Sequence, residues 1–168
     1  MNMKKSLLVS LALLVLVSIS VAQAPPGKGG KQLNVGLGFS DWGVPVYVGA
    51  DFGVHDDITI GPKVSYRKRN YRFFGDEYSQ TLIVIGFNGN YHFNKLLNLE
   101  DKWNLYAGLT LGYYLWSDSE FSGAKDSGIG LDLQIGGRYF FNDKLGINLE
   151  IGGGSGTGAG SIGLTIKL

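Results

Sequence analysis

Alternation of apolar and polar residues with a period of two constrains this chain most strongly. The segment WNLYAGLTLGYYLW, residues 103–116, places an apolar side chain at every second position. Successive side chains of a strand point to opposite faces, so this pattern predicts a strand with one apolar face. The pattern recurs between Leu33 and Leu168 as eight predicted strands. No segment between them has the 3.6-residue period of a helix, which predicts an all-β chain.

The last strand indicates how the sheet ends. In SIGLTIKL, residues 161–168, isoleucine and leucine alternate with small and polar residues up to the final position. A strand left at the edge of a sheet needs a partner, and the first strand, residues 33–40, can supply it by closing the sheet. We therefore predict an eight-stranded antiparallel up-and-down β-barrel. Its longest polar connections are expected at residues 68–80 and 117–127.

The N-terminal 24 residues have the pattern of a secretory signal peptide. Lys4 and Lys5 precede an apolar run over residues 7–21, and Ala22-Gln23-Ala24 is a small-x-small cleavage pattern. The run is shorter than the ~20 residues that a spanning helix needs. We predict export, with cleavage after Ala22 or Ala24. Residues 25–31 then form a short flexible N-terminus, and residues 32–168 form the barrel.

Composition excludes several functions. The chain contains no cysteine, so neither disulfides nor thiolate metal sites are available. A formal net charge of +1 gives no reason to expect nucleic acid as a partner. No cofactor is expected, and no histidine-rich metal-binding spacing is found. The glycine-rich run at 152–160 lacks the lysine and the helix of a phosphate-binding loop.

Alternation alone leaves open which face of the barrel meets water. A soluble carrier of the lipocalin type has its apolar face inside, whereas a membrane barrel turns it toward lipid. Here the polar face is rich in glycine, which makes room inside a narrow barrel but weakens a water-exposed strand. The apolar face has no charge, as a lipid-contacting surface requires. The charged residues of the polar face are Asp51, Lys63, Arg67, Asp132, Arg138, Glu150 and Lys167.

Aromatic residues of the apolar face gather at the strand ends. The expected outer rim holds Phe39, Tyr66 and Tyr113, and the expected inner rim holds Phe52, Tyr91, Phe93, Trp103, Tyr139 and Phe141. Two aromatic belts are typical of a barrel that spans a membrane. The membrane barrel is therefore favoured over the soluble periplasmic ligand-binding barrel, which remains an alternative.

With this pattern, residues 33–168 resemble the small eight-stranded outer-membrane barrels of the OmpA and OmpX kind. The resemblance implies a location in the bacterial outer membrane, with outer-membrane lipids as partners. It also implies that the barrel-assembly machinery reads the last strand during insertion. The matching positions are the polar Ser161, Gly163, and the hydrophobic Ile166 and Leu168. Leu168 stands where the family usually has a terminal aromatic residue.

Charged residues of the polar face are expected to pair inside the barrel. Unpaired charges in a dry interior are expensive, so we predict a network of ion pairs and hydrogen bonds. Such a network either lines a narrow pore or seals the lumen, and an eight-stranded barrel is just wide enough to be filled. We favour the sealed lumen. The predicted network comprises Asp51, Lys63, Asp132, Arg138, Glu150 and Lys167.

Catalysis is not predicted. Some small outer-membrane barrels modify lipids with a histidine near the outer rim, but His55 lies in an inner turn and His92 faces the lumen near the inner end. No nucleophile-elbow motif is present. We predict a non-enzymatic barrel with a structural or surface-interaction role. The alternative is a narrow pore or a carrier for small apolar solutes.

A basic cluster is predicted at the outer rim. Arg67, Lys68, Arg69 and Arg72 stand close together among aromatic residues. One hypothesis is contact with phosphates of outer-leaflet lipids or with a surface partner. The alternative is a solvated loop whose aromatic side chains pack on each other.

Overall fold

The computed structural model describes residues 25–40, 42–73, 76–117, 126–155 and 158–168, and for residues 71–73 and 76–78 the backbone alone. The predicted signal peptide, residues 1–24, lies outside this part of the chain. The elements, in chain order, are β1 (Lys31–Phe39), β2 (Val46–His55), β3 (Ile58–Phe73), β4 (Asp76–His92), α1 (Asn94–Leu97), β5 (Trp103–Trp116), β6 (Gly128–Phe140), β7 (Leu145–Gly154) and β8 (Ala159–Lys167).

These strands form a closed barrel in which each strand pairs antiparallel with its sequence neighbours. The seam joins β1 to β8, with Gln32 opposite Lys167 at one end and Phe39 opposite Gly160 at the other. Closure leaves no edge strand, which removes the backbone groups that would otherwise need partners. The predicted fold class and the predicted closing pair are confirmed. We name the end with Lys31 and Lys167 the inner end and the opposite end the outer end.

The hairpin of β3 and β4 corrects one prediction. Residues 68–80 were expected to be a polar connection, but the ladder continues to the pair of Phe73 and Asp76. The hairpin therefore projects beyond its neighbours at the outer end. Alternation fades here because a strand that has left the lipid meets water on both faces. Backbone pairing continues without an apolar face.

The outward surface is apolar between the two rims. Outward positions of the described strands carry no charge there, and large side chains such as Leu111, Leu133 and Phe87 are exposed. An apolar band of this kind is a lipid-contacting surface, because water would penalise it. At the inner end, Tyr139 contacts both Trp103 and Phe141, with ring centroids 4.8 Å and 5.7 Å away. These contacts form part of the predicted inner aromatic rim.

The segment before β1 is tied to the inner end. Gly29 N donates to Gly53 O at 2.7 Å, and Gly53 N donates to Gly30 O at 2.9 Å. Lys31, predicted to lie in the N-terminal segment, is the first residue of β1. Within the described ranges, no helix is long and apolar enough to cross a membrane.

Candidate functional site

The centre of the lumen is an ion pair between Asp51 and Arg138. These residues lie on β2 and β6, so the pair crosses the barrel, with Arg138 Nη2 3.0 Å from Asp51 Oδ2. Asp51 is 1% exposed and accepts three more hydrogen bonds, from Gln32, Asn34 and Asn88, at 2.7–2.9 Å. A buried carboxylate is tolerated when it is paired and hydrogen-bonded in this way.

A histidine cluster fills the inner end of the lumen. His92 Nε2 lies 3.0 Å from Thr59 Oγ1, and His92 Nδ1 lies 2.9 Å from Asn104 Nδ2. Asn104 Nδ2 also lies 2.8 Å from Asn94 Oδ1, and Arg138 Nη1 donates to Asn104 Oδ1 at 3.2 Å. Both ring nitrogens thus face neutral groups, and the imidazole is enclosed. This environment holds His92 as a structural link to the central ion pair.

A second ion pair crosses the barrel nearer the outer end. Lys63 on β3 lies 2.8 Å from Glu150 on β7. Tyr106 donates to the other oxygen of Glu150 at 3.0 Å, and its ring lies 4.1 Å from the guanidinium carbon of Arg138. Tyr106 therefore connects the two ion pairs. The four charged residues and this tyrosine form a bar across the lumen.

Neutral side chains connect the bar to the strands around it. Tyr47 donates to Asn148 at 2.7 Å, Asn148 donates to Thr165 at 3.1 Å, and Thr165 donates to Asn34 at 2.8 Å. This chain of hydrogen bonds runs across the β1–β8 seam. The seam is held by side chains in the lumen as well as by backbone pairing.

Lumen-facing glycines make space for the two tyrosines. A Cβ at position 36 would lie 2.7 Å from the Tyr47 hydroxyl, and one at position 163 would lie 2.5 Å from it. A Cβ at Gly136 would collide with the ring and hydroxyl of Tyr106. The glycine content of the polar face thus has the predicted packing function at these positions.

Small cavities lie between the described residues of the lumen, and two of them adjoin the bar. One, of about 20 Å³, is lined by Lys63, Arg138 and Glu150 of the bar and by the two tyrosines, Tyr47 and Tyr106. The other, which we name the outer chamber, measures about 100 Å³ and lies on the outer side of the bar. Its lining includes Lys63, Ser65, Arg67, Glu150 and Ser161.

The remaining predicted network residues lie away from the bar. Asp132 lines the outer chamber and interacts electrostatically with Arg67. Lys167 lies at the inner end with its ammonium 3.8 Å from the centroid of the Phe140 ring. Four of the six predicted residues therefore form the two ion pairs of the bar, whereas Asp132 and Lys167 interact with other residues of the barrel.

An apolar cluster covers one side of the outer lumen. Leu82, Val84 and Tyr114 are buried, and Trp42 and Trp116 pack against them. The two indoles meet edge to face at a centroid distance of 5.0 Å. Leu82 and Val84 interrupt the alternation of β4 because they serve this inward cluster.

The predicted basic cluster is divided between two environments. Arg67 faces the lumen and is 9% exposed, whereas Lys68 and Arg69 are exposed on the projecting hairpin. Arg72 belongs to β3, and its side chain lies outside the description. The structure therefore does not bring Arg67 together with Lys68 and Arg69 on one surface.

The four predicted assembly-signal residues lie on both faces of the closing strand and directly after it. Ser161 and Gly163 face the lumen, and Ile166 lies outward, opposite Leu33 on β1 and Leu145 on β7. The exposed Leu168 follows β8 and donates its backbone N–H to Lys31 O at 3.0 Å.

A polar cleft of about 300 Å³ opens at the inner rim beside α1. Lys95 Nζ lies 3.1 Å from Asp56 and 3.6 Å from Asp57. The hydrogen bond from Lys95 is the main reason that the pKa of the exposed Asp56 is below its ordinary value. In the described part of the chain, no group of three or more acidic, histidine or cysteine residues is arranged to hold a metal ion.

Similarity to known proteins appears only at the level of structure. No family model matches the sequence, and no curated protein matches it. The outer membrane protein OprG from Pseudomonas aeruginosa matches with a TM-score of 0.63 and 10% identity, over 89% of this chain and 99% of that chain. Neisserial surface protein A matches with a TM-score of 0.60 and 16% identity, over 83% and 95%. Ail of Yersinia pestis, in complex with the heparin analogue sucrose octasulfate, matches with a TM-score of 0.56 and 11% identity, over 84% and 99%.

The fold is that of the small outer-membrane β-barrels. The predicted resemblance is thereby confirmed, and at these identities the likeness concerns the fold. This fold and the apolar outward band agree with the predicted location in a bacterial outer membrane. The predicted cleavage of residues 1–24 stays a prediction.

Sequence reasoning missed the buried amides and tyrosines that complete the lumen. Gln32, Asn34, Asn104 and Asn148 are each at most 8% exposed and hydrogen-bond the charged groups or each other. Their position on the polar face of the alternation could have indicated this role. Amides satisfy ionised neighbours without adding charge, so they belong in a closed interior.

Proposed function

We propose that this chain is a non-enzymatic outer-membrane barrel whose lumen is sealed by its own side chains and whose role is structural or surface-directed. The observation that carries the proposal is the bar of the Asp51–Arg138 and Lys63–Glu150 pairs across the lumen. The cavity among the groups of the bar has a volume of about 20 Å³, roughly enough for one water molecule. Hydrated ions do not pass through such a space.

Absence of catalysis is supported by the surroundings of the two histidines. His92 is enclosed by Thr59 and Asn104, and His55 lies in an inner turn where its Nδ1 accepts from Asp57 N at 3.2 Å. A general base needs a neighbouring reactive proton and access for the substrate. Neither imidazole is near the outer leaflet.

Conductance across planar bilayers tests the sealed lumen. We expect no steady single-channel steps from the purified folded barrel. Steady steps would contradict the seal and favour the narrow-pore alternative.

Fractionation tests the location: folded protein should need detergent to leave the membrane fraction, whereas a soluble periplasmic carrier would be released without it.

The projecting β3–β4 hairpin is the proposed surface for lipid or partner contact. Lys68 and Arg69 are exposed there, and cationic side chains bind phosphate or sulfate groups by charge-assisted hydrogen bonds. Ail, which has a similar fold, was crystallised in complex with the heparin analogue sucrose octasulfate, and this supports an anionic partner for the present chain. We propose that Lys68, Arg69 and Arg72 contact outer-leaflet phosphates or an anionic surface partner.

Charge removal on the hairpin tests this contact. Replacing Lys68, Arg69 and Arg72 by serine should weaken binding to lipopolysaccharide-containing vesicles and to immobilised heparin. Arg67 is kept, because it is buried, faces the lumen and does not belong to the exposed surface of the hairpin. Substituting Lys95, on the inner rim, is the matched control. Unchanged binding by the triple variant would contradict the contact.

We also propose that the closing strand is read by the barrel-assembly machinery, through Ser161, Gly163, Ile166 and Leu168. Leu168 follows a strand that pairs on both sides only after closure. Leu168→Phe should speed membrane assembly in cells, and Leu168→Ser should slow it. Equal assembly rates for both variants would contradict this role.

A further inference from the structure

Arg67 is a buried cation with unused hydrogen-bond donors. Its side chain is 9% exposed, and its Nε and Nη1 have no hydrogen-bond partner among the described residues. Residues 42–45 contribute to this burial: a Cβ on Gly43 would lie 3.6 Å from Arg67 Cγ. Buried donors of a charged group are expensive when unsatisfied, so an acceptor that reaches these two nitrogens would stabilise the folded chain.

The outer chamber provides the space for that acceptor. Arg67 lines it together with the hydroxyl residues Ser65, Thr110 and Ser161. Its volume of about 100 Å³ holds several water molecules or one small organic ion, since a single water needs roughly 10–15 Å³. Pro45 and Ala159 line the chamber near its outer end, and the Lys63–Glu150 pair lies at its floor.

Charges around the chamber narrow the class of ligand. Glu150 is engaged by Lys63 and Tyr106, and Asp132 partly offsets the charge of Arg67. With two acids and two bases in the lining, a ligand with several negative charges would leave a large uncompensated charge. A ligand with one negative charge accepts stronger hydrogen bonds from a guanidinium than a neutral ligand does.

We propose that the outer chamber binds a small monovalent oxyanion of the size of acetate, with Arg67 Nε and Nη1 donating hydrogen bonds to its oxygens. The ion enters from the outer end and stops at the Lys63–Glu150 pair. This site goes beyond the proposed function, because a sealed structural barrel needs no ligand in its lumen.

Acetate titration of the folded, isotope-labelled barrel in lipid nanodiscs tests the site. The backbone amide resonances of Gly152 and Ser161, which line the chamber, report on occupancy. Sodium acetate, replacing sodium chloride at constant ionic strength, should shift both resonances saturably, with a midpoint of about 1–10 mM. Arg67→Gln should abolish the shift, whereas Lys95→Gln, which removes an exposed cation at the inner rim, should keep it.

Folding of each variant is checked by circular dichroism and by its shifted electrophoretic migration. If Arg67→Gln does not fold, Ala159→Phe decides, because it fills the chamber near its mouth and leaves Arg67 in place. Loss of the acetate response in Ala159→Phe supports the site, and an unchanged response overturns it. A non-saturating shift, equal saturation by glycerol, or saturation that survives Arg67→Gln would also overturn it. Bilayer conductance of the wild type is measured separately. Failure of the sealed lumen, seen as conductance, is thereby distinguished from failure of the anion site, seen as a missing acetate response.

Discussion

Removal of the Asp51 charge tests the central ion pair most directly. In Asp51→Asn the side-chain shape is retained, and the substituted amide can be oriented so that its oxygen replaces Oδ2. That oxygen receives the donors of Gln32, Asn34 and Arg138, whereas Oδ1 receives only Asn88. Reorientation of the Asn88 amide can satisfy the new nitrogen. Most hydrogen bonds can therefore survive, and the main loss is the charge that compensates Arg138.

The expected magnitude follows from the burial of that cation. Arg138 is 3% exposed, and the other groups within hydrogen-bond distance are neutral or already paired. Breaking a buried ion pair by removing one partner costs about 3–5 kcal/mol. Arg138→Met added to Asp51→Asn removes the uncompensated charge. The double variant should then be about 1–3 kcal/mol more stable than the sum of the two single effects.

Equilibrium unfolding by urea in lipid vesicles, followed by tryptophan fluorescence, measures these free energies. Asp56→Asn is the matched control, because Asp56 forms a solvent-exposed ion pair with Lys95 at the inner rim, with Nζ 3.1 Å from Oδ2. Exposed pairs contribute little, so its effect should be far smaller than that of Asp51→Asn. The reasoning is refuted if Asp51→Asn resembles this control, or if the two lumen substitutions are strictly additive.

Further substitutions test packing, lipid contact and pH dependence. Gly136→Ala should destabilise the barrel by about 1–3 kcal/mol through its clash with a tyrosine, whereas Gly128→Ala, with open space around it, should be tolerated in the same urea assay. Leu111→Arg on the lipid face should cost about 2–4 kcal/mol, and Leu96→Arg in the inner connection much less. Because the pKa of Asp56 is lowered in the folded state, the ionised carboxylate stabilises the fold. This contribution is fully present above the ordinary pKa of about 4 and is lost as the pH falls through the lowered pKa. Asp56→Asn should therefore flatten the acid limb of the stability curve; an unchanged limb contradicts this.

The sequence predicted the barrel because lipid imposes alternation on every spanning strand. Residues 103–116 and 161–168 show the pattern without interruption, and closure then follows from the cost of an open edge. The length of the β3–β4 hairpin could not be predicted in this way. Beyond the lipid no face must be apolar, so residues 68–80 resemble a loop although their backbone continues the ladder.

The lumen could be predicted only in part. The sequence places Asp51, Lys63, Arg138 and Glu150 on the inward face, but partner choice depends on the register and tilt of strands far apart in the chain. Asp51 and Arg138 are 87 residues apart and meet because β2 and β6 lie on opposite sides of the barrel. Burial of Arg67 was also beyond the sequence pattern, because it depends on how residues 42–45 lie against the hairpin.

The position of a lumen residue relative to the bar determines the consequence of its loss. On the inner side, His92 and the amides around Asp51 are buried and hydrogen-bonded to their neighbours, so substitutions there act mainly on stability. On the outer side, a cavity remains, and among the described residues Arg67 Nε and Nη1 have no hydrogen-bond partner. Substitutions at Arg67 or Ser161 should therefore alter what enters the lumen more than they alter the free energy of unfolding. A barrel sealed at the bar, as we propose, can in this way carry a binding site without becoming a pore.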